Sequence, residues 1–127
     1  MILVDSDVLI AHLRGVPAAR DWLVAARSRG ALAISVVSIV EIIGGMRSAE
    51  RREVWRLFSA FRTEPVSELI ARRAGELMRQ YRRSHTGIGL GDYIIGATAE
   101  IRGQSLATLN VRHFPMFEGL EPPFELN

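Results

Sequence analysis

Three short apolar runs do most to restrict the fold open to this chain: Ile2-Leu3-Val4, Leu32 to Val37, and Ser105 to Leu109. Each reads as a continuous run buried on both faces, which is the habit of parallel rather than antiparallel sheets. Helical patterns lie between them. Val8 to Arg14 stops at Gly15, with Pro17 just beyond it or opening the next helix. Ala18 to Arg29 puts Trp22, Leu23 and Ala26 on one face and ends at Gly30. Ser38 opens a helix to about Gly44-Gly45-Met46, and Ala49 to Phe61 comes next with Val54, Leu57, Phe58 and Phe61 inward. Thr63 to Val66 reads as a short edge strand, since Pro65 argues against a central place. Ser67 caps the longest helix, to about Ser84; Asp92 opens the last one, which Gly103 breaks. A final strand is expected near Pro123 to Leu126. Strands alternating with helices in this way predict one three-layer α/β/α domain over residues 1–127, with a mostly parallel sheet of four to five strands.

Composition removes several function classes. No apolar run approaches the roughly 20 residues of a membrane span, and no signal peptide precedes the first strand. With no cysteine there is neither a disulfide framework nor a thiolate metal site, and a soluble cytoplasmic protein is expected. All sixteen basic residues are arginine, so any mechanism that needs a lysine is excluded. A net charge of +2 neither demands nor forbids a nucleic-acid partner.

The acidic residues are more informative. In open parallel sheets, ligands sit at the carboxyl ends of the strands. Asp5 directly follows the first run, Glu41 comes one helical turn after the second, and Asp92 opens the helix that leads into the third. Each also has a structural reading. Ser38 to Glu41 has capping-box spacing, Asp92 could be an ordinary N-cap, and Asp5 and Asp7 could be caps or turn residues. Their apolar surroundings favour a site, because carboxylates in such runs are rare and are usually paired or metal-bound. Three of them at one sheet edge repel unless a cation neutralises them. An all-oxygen donor set selects a hard ion, Mg²⁺ with Mn²⁺ as substitute, and suits phosphodiester hydrolysis.

Four segments taken together resemble the four motifs of PIN-domain nucleases. They are Val4-Asp5-Ser6-Asp7-Val8-Leu9-Ile10, Ser38-Ile39-Val40-Glu41-Ile42-Ile43-Gly44-Gly45, Gly91-Asp92-Tyr93-Ile94-Ile95-Gly96-Ala97-Thr98-Ala99 and Ala107-Thr108-Leu109-Asn110-Val111-Arg112-His113-Phe114. The size and the Thr-x-Asn-x-x-His-Phe ending resemble VapC toxins of bacterial toxin–antitoxin pairs. The resemblance implies a Mg²⁺-dependent endoribonuclease that cuts structured tRNA or rRNA. It also implies a homodimer, inhibited by a small antitoxin in a heterotetramer or larger complex. On the matching positions, Asp5, Glu41 and Asp92 are the catalytic and metal-binding acids, Ser6 is a hydroxyl that supports them, and Asp7 is an auxiliary carboxylate. Asn110 matches the family's asparagine and could orient Asp5 or hold a metal-bound water. Many members carry an acid where this chain has His113. One ion is therefore expected and a second is left open, with His113 expected to pack or hydrogen-bond structurally.

RNA phosphates near an acidic pocket call for cations; Arg82 and Arg83 lead into the glycine-rich loop before Asp92, and Arg112 lies close to Asn110. Two other functions stay open on the residues. Asp5-x-Asp7 also resembles the nucleophile motif of aspartyl phosphatases, although those usually need a lysine. Alternatively, a PIN-like protein weakened by loss of its fourth acid would only bind RNA or a partner.

Overall fold

In the computed structural model, which describes residues 1–126, β1 (Ile2–Val4) is flanked by β2 (Leu32–Ser35) and β4 (Ser105–Ala107). β3 (Arg62–Glu64) adds to the far side of β2, giving the order β3-β2-β1-β4 with all pairings parallel. The alternation of the strand residues builds two cores. Leu3, Ala33 and Leu106 stand side by side in register and pack against one face together with Ile95, Ala99 and Phe114. Val4, Leu32 and Ile34 point to the other face, with Val8, Leu9 and Leu23. Side chains as fully enclosed as Leu3, Val4 and Ile34 each contribute about 1.5–3 kcal/mol.

The strand-to-helix junctions are what carry the acidic residues. β1 runs into α1 (Ser6–Leu13) with Asp5 as N-cap, its carboxylate accepting the Ser6 amide at 2.8 Å. Gly15, at φ +82°, turns the chain into α2 (Pro17–Arg29), which Pro17 opens. β2 ends two residues earlier than its apolar run, because Ser35 caps α3 (Val36–Gly45) by accepting the Val37 amide at 3.0 Å. The expected cap, Ser38, is instead buried within that helix, so the Ser38–Glu41 capping box does not form. A 3-10 turn, Ser48–Glu50, precedes α4 (Arg51–Phe58), which buries Val54 and packs Leu57 and Phe58 against the first core. Trp55 is 46% exposed.

Ser67 caps α5 (Glu68–Tyr81), whose Ile70, Ala74 and Leu77 meet Tyr93 and Ala97 of α6 (Leu90–Arg102). Gly103, in the left-handed region at φ +64°, ends α6 ahead of β4. The expected strand near Pro123 to Leu126 is absent among the described residues. Pro122 and Pro123 have no amide protons to give a ladder, and Phe124 packs individually against the first core. One buried carboxylate had no signal in the sequence. Glu64, 1% exposed, accepts from Gln104 at 3.3 Å and pairs with Arg102 at 2.9 Å and Arg62 at 3.3 Å, tying the end of β3 to the α6–β4 connection.

Candidate active site

The carboxyl ends of β1 and β4 lie side by side, with the Asp5 amide donating to the Ala107 carbonyl at 2.9 Å. Beyond them, Asp5 is 5% exposed and Thr108 is fully buried. The Thr108 hydroxyl is 2.8 Å from Asp5 Oδ2 and 3.2 Å from Asp7 Oδ2, and it accepts the Asn110 amide at 3.1 Å. Having one proton, that hydroxyl can donate fully to only one carboxylate at a time. Asp7 Oδ2 also accepts the Leu109 amide at 3.1 Å, while its buried Oδ1 has no partner.

Glu41 reaches this group from α3. Its Oε1 accepts the Ser6 hydroxyl at 3.1 Å, and that hydroxyl lies 3.5 Å from Asp5 Oδ1. Ser6 thus joins the first two motifs. Glu41 is not enclosed, as its apolar neighbours had suggested; it is exposed, because α3 buries Ile42 and leaves Val40 71% exposed. The start of α6 closes in beside it. A Cβ on Gly91 would stand 3.2 Å from Val37 Cγ1 and 3.6 Å from Glu41 Oε2, so the residue just before Asp92 packs closely against α3.

Asp92 is the third residue of α6 and not its cap, which is Gly89. Its Oδ2 accepts the Gly89 amide at 3.3 Å and lies 2.8 Å from His113 Nδ1. Asn110 places its side-chain amide 2.9 Å from that same ring nitrogen and makes no bond to Asp5; it reaches Asp5 only through its backbone and Thr108. Sequence reasoning therefore missed Thr108, although it lies within the fourth motif. Arg82, Arg83 and Arg112 are exposed and, among the described residues, in no ion pair. Arg112 adjoins His113 in the 3-10 turn Val111–His113, whereas Arg82 and Arg83 connect to the site only through the loop after α5.

The electrostatics are those of uncompensated acids. Burial, with Asp7 close by, pushes the Asp5 carboxyl up to about 7, against the pull of Thr108 and Ser6. Burial also raises Asp7, opposed by the Leu109 and Thr108 bonds. Glu41 is raised by partial burial, with Asp92 and Asp7 adding to it and Ser6 opposing. None of Asp5, Asp7 and Glu41 has a cationic partner among the described residues.

Whether these residues suit a divalent cation can be judged from their oxygens. Among the described residues, no three acidic or histidine side chains converge closely enough to form a ready coordination sphere. The donor chemistry nevertheless fits a hard ion: all the acids offer oxygen, Asp7 Oδ1 is buried without a partner, and Ser6 and Thr108 hold one oxygen each of Glu41 and Asp7.

The chain is similar to known proteins over nearly its whole length. Residues 2–116 match the PIN domain. The chain is 73% identical over 124 residues to Ribonuclease VapC10 of Mycobacterium tuberculosis, covering 98% of this chain and 93% of that one. Ribonuclease VapC19 of the same organism is 43% identical over 125 residues, with 98% and 100% covered. Among solved structures, a toxin–antitoxin complex from Klebsiella pneumoniae superposes with a TM-score of 0.82 at 26% identity, covering 99% of this chain and 100% of that one. The chain belongs to the PIN-domain family and, within it, groups with the VapC ribonucleases.

Proposed function

We propose that the protein is a Mg²⁺-dependent endoribonuclease of the VapC toxin kind, acting in the cytoplasm on structured RNA such as tRNA or rRNA and restrained by a small cognate antitoxin. One observation carries this reading. Asp5 with Asp7, Glu41, and Asp92 come from three parts of the chain to one sheet edge, where burial raises the carboxyls of the first three and, among the described residues, no cation of the chain balances them. The names of the relatives support the ribonuclease part, and the Klebsiella complex supports the antitoxin part.

In this reading Asp5, Glu41 and Asp92 hold the ion, with Asp7 as auxiliary carboxylate. Mg²⁺, or Mn²⁺ in its place, supplies Lewis-acid activation of water and charge for the departing oxygen. Ser6 and Thr108 keep the carboxylates from turning away, since each hydroxyl bridges two of them. His113 brings no fixed negative charge, so the donors account for one ion. Arg112, and with it Arg82 and Arg83, would offset the repulsion between the pocket and RNA phosphates. A homodimer belongs to the same reading, as an expectation carried by the likeness to VapC toxins. The aspartyl-phosphatase alternative has nothing further in its favour: the chain has no lysine, and its relatives are ribonucleases.

The test is cleavage of structured RNA by purified protein with Mg²⁺ or Mn²⁺, beside the same reaction in chelator and with Asp5→Asn. Cleavage only by wild type with metal is expected. Equal cutting in chelator would overturn the mechanism, and a wild type that binds RNA without cutting it would favour the weakened binding protein.

A further inference from the structure

The fourth motif holds a contact whose chemistry is more restrictive than its distance. His113 Nδ1 lies 2.8 Å from Asp92 Oδ2 and 2.9 Å from the Asn110 amide nitrogen. A ring nitrogen offers either one proton or one lone pair. If Nδ1 were bare, it would accept from Asn110 and set its lone pair against an ionised carboxylate. If Nδ1 carries the proton, it donates to Asp92, and Asn110, with its amide turned over, offers its oxygen to the same proton. The orientation of an amide is assigned from the network around it, and here Asp92 Oδ2, which already accepts the Gly89 amide, calls for the second arrangement.

The scaffold holds this pair firmly. Gly96 lies four residues beyond Asp92 and so shares its face of α6. A Cβ on Gly96 would stand 3.5 Å from Phe114 and 3.3 Å from Met116. Phe114, next to His113, is 1% exposed. One face of α6 therefore presents Asp92 to His113 and, a turn later, docks the segment that carries His113. Gly89 and His113 both engage Oδ2, so Oδ1 is the oxygen of Asp92 that neither of them occupies.

We propose that His113 is a positioning residue: donating from Nδ1, it fixes the Asp92 carboxylate so that a single oxygen is offered to a divalent cation. It takes the place of a fourth acid by orienting a ligand rather than by adding one. This rests on the metal-dependent reading of the site and specifies how one ligand of it is prepared.

Two measurements test it without relying on cleavage. Nitrogen-15 NMR of the metal-free protein is expected to show His113 protonated at Nδ1; a bare Nδ1 overturns the proposal. Mn²⁺ binding by calorimetry is expected to weaken about tenfold in His113→Phe, which keeps a packed ring but loses the donor. His113→Asn, which restores a donor near the Nδ1 position, should return within about threefold of wild type. In an Asp92→Asn background, His113→Phe should cost nothing further, because its effect passes through Asp92. Unchanged Mn²⁺ affinity in His113→Phe, or an undiminished loss in the Asp92→Asn background, overturns the proposal. Circular dichroism confirms that each variant is folded, and His113→Asn keeps the test decisive if His113→Phe is not. Wild type that binds Mn²⁺ but cuts no RNA would sink the nuclease reading alone; wild type that cuts, with His113→Phe binding metal equally well, would sink only this one.

Discussion

Asp5 and Glu64 are both buried carboxylates, 5% and 1% exposed, yet they sit in opposite electrostatic situations. Glu64 meets Arg102, Arg62 and Gln104, so its charge is balanced within the chain. Asp5 meets Thr108, Ser6 and Asp7, which offer two hydroxyl groups and a second negative charge. Desolvation alone costs any ion several kcal/mol, so a buried acid persists when something offsets that cost. For Glu64 the guanidinium groups do so, and the result is a structural tie between β3 and the end of α6. For Asp5 the chain supplies no such partner, and the proposed cation completes the site from outside. Burial by itself therefore does not separate a structural acid from a functional one; the company it keeps does.

The contrast can be broken most sharply by exchanging charge for an amide at each place. Asp5→Asn is expected to lower RNA cleavage more than about a hundredfold while leaving the fold intact, because it removes a ligand charge from a crowded acidic pocket. Glu64→Gln should do the reverse, costing about 2–3 kcal/mol in urea unfolding with little change in cleavage per folded molecule. If Glu64→Gln abolished cleavage at full stability, the division between the two acids would be wrong.

The same contrast has a pH signature. Because the Asp5 carboxyl is raised from 3.8 to about 7, the folded state keeps a proton that the unfolded chain releases in that window. The stability this group contributes is present below the unfolded value and is lost as pH rises through 7. The raised Asp7 and Glu41 push in the same direction. In chelator, the thermal midpoint of wild type should therefore fall between pH 5 and pH 8 by about several degrees more than that of Asp5→Asn. Saturating Mg²⁺ should recover the loss at the alkaline end and do little at the acidic end. Parallel curves for the two proteins would show that Asp5 is not strained by its neighbours.

Smaller effects probe the rim. Gly91→Ala puts a methyl group 3.2 Å from Val37 Cγ1 and 3.6 Å from Glu41 Oε2, so Val37 or the start of α6 must give by a few tenths of an ångström beside Glu41. A roughly tenfold loss of cleavage with about 1–2 kcal/mol of destabilisation is expected, read from kinetics and unfolding together. Arg82→Ala with Arg83→Ala should raise KM a few-fold at low salt, leave kcat unchanged, and converge with wild type as ionic strength increases. A change in kcat instead would place these arginines inside the reaction.

Much of this molecule is dictated by local chemistry. Ile2-Leu3-Val4 and the other apolar runs can satisfy both faces only inside a parallel sheet, and the positions of Asp5 and Glu41 after two of them, with Asp92 opening the helix before the third, already point to one edge. Ser67 and Gly103 mark helix ends because capping and left-handed turns are decided within a few residues. Choices between near-equal local options were settled elsewhere. Ser35 and Ser38 are both competent caps, and Ser35 caps because the β2 register ends there, turning Ser38 into the core. Only the packing of α3 made Glu41 exposed and left it within reach of Ser6. The roles of Thr108, Glu64 and His113 likewise depend on partners from 21 to 103 residues away. The sequence by itself determined the parallel sheet and which acids could meet at its edge, because hydrophobic period and caps act over one turn or one strand. Tertiary structure alone decided which of the buried acids meets arginine and which meets none, because the energy of a buried charge is set by its neighbours in space.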